Sequence, residues 1–94
     1  MIDIVIKDYM CQELKLGGDE LILYAFFASY EEVYNIPCPL PMKVISKFLN
    51  ISARTLYRVM RELKEKHLIA KTFIGITTNN PAYVSGEFLN DIKQ

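Results

Sequence analysis

Two short apolar stripes at helical spacing, separated by a single polar break at Asn50, restrict the fold more than any other part of this chain. In the first stripe, Val44, Ile45, Phe48 and Leu49 line one side of two turns. Asn50 interrupts the pattern, and asparagine is one of the few residues that enter the left-handed conformation at which helices often stop. A tight turn is expected there, with Ile51 tucked inward and Ser52 placed to cap the next helix. In the second stripe, Leu56, Val59, Met60 and Leu63 fall at about 0°, 300°, 40° and 340° on a wheel advancing roughly 100° per residue. On that wheel Arg54, Arg58 and Arg61 fall at about 160°, 200° and 140°, opposite the apolar band. The pattern predicts two helices joined by a tight turn, the second presenting three guanidinium groups away from the core.

The flanking segments supply the rest of a small core. Ile2-Asp3-Ile4-Val5-Ile6 predicts an extended start, and Tyr9, Met10, Glu13 and Leu14 follow at the spacing of a short helix. Gly17-Gly18 breaks that helix, and Asp19-Glu20 provides the acidic first turn that a helix N-terminus favours, so a second helix is expected over residues 19–34. Residues 21–28 are apolar all the way round, which requires cover on several sides, either as the central core helix or as part of a dimer interface. Residues 36–41 alternate proline with other residues and form a stiff, extended connector; a Pro-rich ligand for a partner's groove is the rarer alternative. Beyond His67, branched and aromatic residues flank a Gly/Asn/Pro cluster and predict a hairpin. Its first strand starts at Leu68 and runs as far as Ile76, its polar turn holds Thr77, Thr78, Asn79 and Asn80, and its second strand spans residues 81–85. Ser85 then caps a short final helix containing Phe88, Leu89 and Ile92.

Ninety-four residues suit one domain, and a hydrophobic fraction of 51% with 23% charge supports a core without disulfides or metal. The longest apolar run has eight residues, against about 20 for a membrane span, and no basic start precedes an apolar stretch as in a signal peptide. A soluble, cytoplasmic protein is expected. Cys11 and Cys38 make no disulfide framework, and His67 lacks metal-ligand spacing around it. No paired carboxylates or phosphate loop accompany them, so no enzyme activity, cofactor or small-molecule substrate is expected. The net charge of zero conceals a strong segregation. Residues 1–41 carry two basic against seven acidic residues, a net of −5, whereas residues 42–72 carry eight basic against two acidic, a net of +6. The middle third is suited to a polyanion or an acidic partner, with a merely solvated basic face as the alternative.

The stretch from Val44 through Ser46, Asn50, Ser52 and Leu56 to Arg58 resembles a helix-turn-helix, and the hairpin after it makes the resemblance one to winged-helix domains. Ser46 stands where the family places a small residue in its first helix, Asn50 where it places the turn residue, and Leu56 where it places the buried aliphatic. The run from Arg61 to Ile69 resembles the family's passage from recognition helix to first wing strand, with His67 in place of the usual glycine. Residues 10–25 are more distantly similar to winged-helix domains of phage and plasmid replication proteins. The implied fold is mainly α with a small β-hairpin (α+β): one winged helix-turn-helix domain over residues 1–94, with the helix-turn-helix at about 42–66 and the wing at about 68–85.

The resemblance implies that the helix over residues 52–66 enters a major groove of double-stranded DNA, with the hairpin touching phosphate or the minor groove. Arg54 and Arg58 then reach guanine edges or phosphate, and Arg61 shares their face. Backbone N–H groups at Ser52 and Ala53 open the helix toward a phosphate. Tyr57 either stacks or bonds to phosphate, or packs half-buried. Lys43, Lys47, Lys64, Lys66 and Lys71 are phosphate contacts by charge, or ordinary surface lysines. Thr77, Thr78, Asn79 and Asn80 form a polar tip that reads groove edges, or simply a turn. The implied roles are transcriptional regulation or an accessory part in phage or plasmid DNA replication or transfer, with binding as monomer or homodimer. The rival function is a winged-helix protein-interaction module without direct DNA binding.

Overall fold

The computed structural model describes residues 2–78, which form helices α1 (Asp8–Gln12), α2 (Gly18–Tyr34), α3 (Met42–Leu49) and α4 (Ala53–Glu65) and strands β1 (Ile69–Lys71) and β2 (Ile76–Thr78). The all-round apolar segment becomes the central core helix: Leu23, Tyr24, Ala25, Phe26 and Phe27 of α2 are buried within the chain's own core. α2 packs against α4 on one side and β2 on another, and the rings of Phe26 and Phe48 tie α3 to it at a centroid separation of 5.6 Å. Asn35 stops α2 in the left-handed conformation at φ 58°, its N–H donating to the Glu31 carbonyl at 2.7 Å. The extended residues before α1 lie across α2, where the Val5 N–H donates to Ser29 Oγ at 3.0 Å.

The turn between α3 and α4 forms as the sequence predicts. Asn50 adopts φ 56° and ψ 43°, and the Ile51 N–H donates to the Ser46 carbonyl at 3.1 Å. Ser46 Oγ returns a hydrogen bond to the Ile51 carbonyl at 2.5 Å, so the small residue of the first helix also fastens the turn. Ser52 Oγ accepts the Thr55 N–H at 3.2 Å and caps α4. Leu56, Val59, Met60 and Leu63 are all buried, which seats α4 in the predicted rotation.

His67 resolves how α4 ends without glycine. It adopts φ 60°, its N–H donates to the Lys64 carbonyl, and the Leu68 N–H donates to the Leu63 carbonyl, each at 3.0 Å. This pair of bonds is the Schellman closure, and buried Leu68 completes it beside Leu63. Histidine takes the left-handed position more readily than a branched residue, at a cost that glycine avoids.

The hairpin departs from the sequence expectation. β1 and β2 pair antiparallel in the register Ile69↔Thr78, Ala70↔Thr77 and Lys71↔Ile76, so the turn occupies residues 72–75 and Ile76 opens the second strand. Thr72 builds that turn: its Oγ1 accepts the N–H groups of Ile74 and Gly75 at 3.2 and 3.1 Å and donates to the Gly75 carbonyl at 2.8 Å. Gly75 lies so close to the connector that a Cβ there would stand 2.1 Å from the Cys38 carbonyl oxygen. Cys38 bridges Ile76 through two hydrogen bonds of 2.8 Å, which adds the Pro-rich connector to the sheet edge as a single rung. The strand expected at residues 81–85 and the final helix after Ser85 lie outside the described residues.

Candidate nucleic-acid interface

The apolar stripe of α4 turns its opposite face to solvent. Arg54, Arg58 and Arg61 are exposed, and with Thr55 and Tyr57 they line a cleft of about 480 Å³ along the outer surface of the helix. Tyr57 is 60% exposed, which settles it as a surface residue within this cleft and not as half-buried packing. Two ion pairs occur among the described residues, Lys7–Glu32 at 3.0 Å and Lys66–Glu20 at 2.6 Å, and neither involves an arginine of α4. Three guanidinium groups therefore face outward with no ion-pair partner among the described residues. Lys66, by contrast, is engaged with the first turn of α2.

The wing adjoins this face. A groove of about 500 Å³ runs between α4 and the hairpin, with Leu40, Met42, Met60 and Ile76 among its apolar lining and Tyr57, Arg61, Lys64 and Lys71 among its polar lining. Lys71, 10 positions after Arg61 in sequence, is thereby brought to the same groove as Arg61 and Lys64 of α4. Lys43 and Lys47 are exposed on α3, and Lys47 lies in that helix's last turn, where a cation interacts favourably with the terminal carbonyls. Ser52 and Ala53 are exposed at the start of α4, but Ser52 Oγ is engaged with the Thr55 N–H and, at 3.0 Å, with Thr55 Oγ1.

Thr77 and Thr78 are not at an exposed tip. Thr77 is fully buried and Thr78 nearly so, and both hold the carboxylate of Glu31 from α2. Thr77 Oγ1 donates to Glu31 Oε2 at 2.5 Å, while the Thr78 N–H and Oγ1 donate to Oε1 at 2.6 and 2.7 Å. A carboxylate cannot be buried without such donors, and β2 supplies them 46 and 47 residues away in sequence. Asn79 and Asn80 lie outside the described residues.

Glu31 and Phe73 were not singled out by the sequence pattern. Glu31 follows Tyr24 and Phe27 at helical spacing and so shares their inward face, which is the signal that marks it. Phe73 sits in the hairpin turn itself and is 68% exposed. The titratable core groups behave as buried structural residues: desolvation pushes the Cys38 thiol up to about 11, and desolvation aided by the Tyr9 hydroxyl raises Tyr24. Among the described residues, no group of three or more His, Cys, Asp or Glu side chains is placed to hold a metal ion. No described helix is long and apolar enough to cross a membrane.

Comparison with known proteins agrees with this geometry. No curated protein and no solved structure matches the chain. A family model described as a helix-turn-helix domain matches residues 14–69, from just before α2 to the first residue of β1, and this is more than half of the chain. With two helices meeting at Asn50, an exposed cationic second helix and an antiparallel hairpin behind it, the chain belongs to the helix-turn-helix domain family.

Proposed function

We propose that this chain binds double-stranded DNA with α4 in the major groove and the hairpin against the neighbouring backbone, as a binding protein without a catalytic step of its own. The observation that carries this reading is the row of Arg54, Arg58 and Arg61, exposed and without ion-pair partners among the described residues, on the second helix of the helix-turn-helix. Lys71 and Lys64 extend the positive surface to the hairpin, and Lys43 and Lys47 extend it over α3. Arg58, one turn into the helix, is the residue best placed for a base edge, while Arg54 lies where helix and phosphate backbone converge. The role we assign is transcriptional regulation or an accessory part in phage or plasmid DNA replication or transfer. Homodimerisation on an inverted repeat fits that role.

Titration of the protein with unrelated duplex DNA at several salt concentrations tests the proposal. Neutralising roughly five phosphates per subunit gives a slope of log affinity against log salt of about −4.5. Absence of duplex binding even at low salt overturns it and leaves the arginine face to an acidic protein partner.

A further inference from the structure

We propose that the groove between α4 and the hairpin binds a small amphipathic anion, a carboxylate carried on an apolar body, and that this ligand competes with DNA for Arg61. The floor and the rim of the groove differ in chemistry. Its volume of about 500 Å³ lies within the roughly 300–1,000 Å³ of small-ligand sites. Leu40, Met42, Met60 and Ile76, buried or half-buried, supply its apolar floor. Arg61, Lys64 and Lys71 are exposed within the same lining, and none of them has an ion-pair partner among the described residues. No described carboxylate lines the groove. The floor is also held in place: Cys38 and Ile76 exchange two hydrogen bonds of 2.8 Å, and Gly75 is packed against the Cys38 carbonyl. Met42 and Met60 bring unbranched, polarisable side chains that adapt to a ligand's shape.

The cleft on the outer surface of α4 makes the contrast. Arg54, Thr55, Tyr57, Arg58 and Arg61 line it, with no aliphatic residue among them, and a phosphate backbone satisfies such a surface through charge. The groove asks for more than charge. Three cations call for an anionic group, and the floor beneath them gains from being covered by hydrocarbon, so both needs are met by a molecule that carries the two together. Tyr57 and Arg61 line both the groove and the outer cleft. A carboxylate held at Arg61 therefore withdraws a cation from the face proposed to meet DNA, and duplex must in turn weaken the ligand by the same factor. The antagonism rests on the DNA-binding reading above; the ligand site does not.

Decanoate, kept below its micelle-forming concentration, is the probe. Decyltrimethylammonium is the control with the opposite charge on the same chain, and acetate is the anion without one. In amide NMR spectra of the chain, decanoate should shift Met60, Arg61, Lys71 and Ile76 saturably, and neither control should. Lys71→Gln, at an exposed position, should weaken decanoate by about two- to fivefold. Met42→Glu, which places a carboxylate against the floor, should abolish its binding. Saturating decanoate should lower duplex affinity by about fivefold or more. Absence of decanoate shifts, equal shifts with decyltrimethylammonium, or unchanged decanoate affinity in Lys71→Gln overturns the site; saturable binding of a glutamate-rich peptide there, with no response to decanoate, assigns the groove to a protein partner instead. Undiminished duplex affinity at saturating decanoate overturns the antagonism. Decanoate binding by a chain that binds no duplex upholds the ligand site and overturns the DNA-binding reading.

Discussion

On α4 the charged residues face solvent and the core contact is wholly apolar, whereas on β2 the polar residues face inward and are held by a carboxylate from another helix. Both elements flank the same groove, yet they leave different resources for a partner. Leu56, Val59, Met60 and Leu63 seat α4 through non-directional burial, so nothing about the seating constrains Arg54, Arg58 or Arg61. Thr77 and Thr78 seat β2 through directional bonds to Glu31, and their hydroxyls are unavailable for anything else. The outer face of α4 therefore retains charged side chains that have no ion-pair partner among the described residues.

Three substitutions probe that contrast, and the largest effect belongs to the apolar anchor. Leu63→Ala should lower global stability by about 2 to 5 kcal/mol, as truncation of a fully buried leucine does. Urea unfolding measures it, and a loss under about 0.5 kcal/mol would mean that α4 is rotated away from the core. Glu31→Gln should have a smaller and more local effect. Replacing a charged acceptor by a neutral amide weakens the bonds from Thr77 and Thr78, for about 1 to 2 kcal/mol. Amide exchange should accelerate first at Thr78, whose N–H donates to Glu31, while the α4 amides keep their protection. Uniform acceleration across α4 and β2 would erase the distinction between the two anchors.

The smallest effect has the opposite sign. His67 joins α4 to β1 at φ 60°, and His67→Gly removes the steric cost of that conformation. Thermal unfolding should show a stabilisation of about 0.5 to 1 kcal/mol. A loss instead would show that the imidazole makes a contact that outweighs the backbone conformation.

The same contrast explains which parts of the molecule the sequence makes legible. The rotation of α4, the left-handed turn at Asn50 and the Ser52 cap each depend on residues within one or two turns of one another, so periodicity and turn chemistry predict them. The exposed arginine face follows from the same wheel. The hairpin does not, because the Gly/Asn/Pro cluster at residues 75–81 suggested a later turn than the one Thr72 and Gly75 make. Two long-range facts decide that register: the buried carboxylate of Glu31 draws Thr77 and Thr78 inward, and the Cys38 rung leaves no room for a side chain at position 75. Neither has a local signature at residues 72–78. Sequence pattern alone therefore places Thr77 and Thr78 at an exposed tip and puts Phe73, which occupies the true turn, in a strand.

The proposed DNA-binding surface on the outer face of α4 is independent of the chain's fold. It is tested most directly by the triple substitution of Arg54, Arg58 and Arg61 with alanine, followed by duplex titration and thermal unfolding of parent and variant. An unfolding midpoint within a few degrees of the parent is expected, since these exposed side chains make no ion pairs among the described residues, together with loss of duplex affinity by at least about 100-fold and a salt slope flatter by about two to three units. A folded variant that binds duplex as tightly as the parent, with the same salt slope, would contradict it.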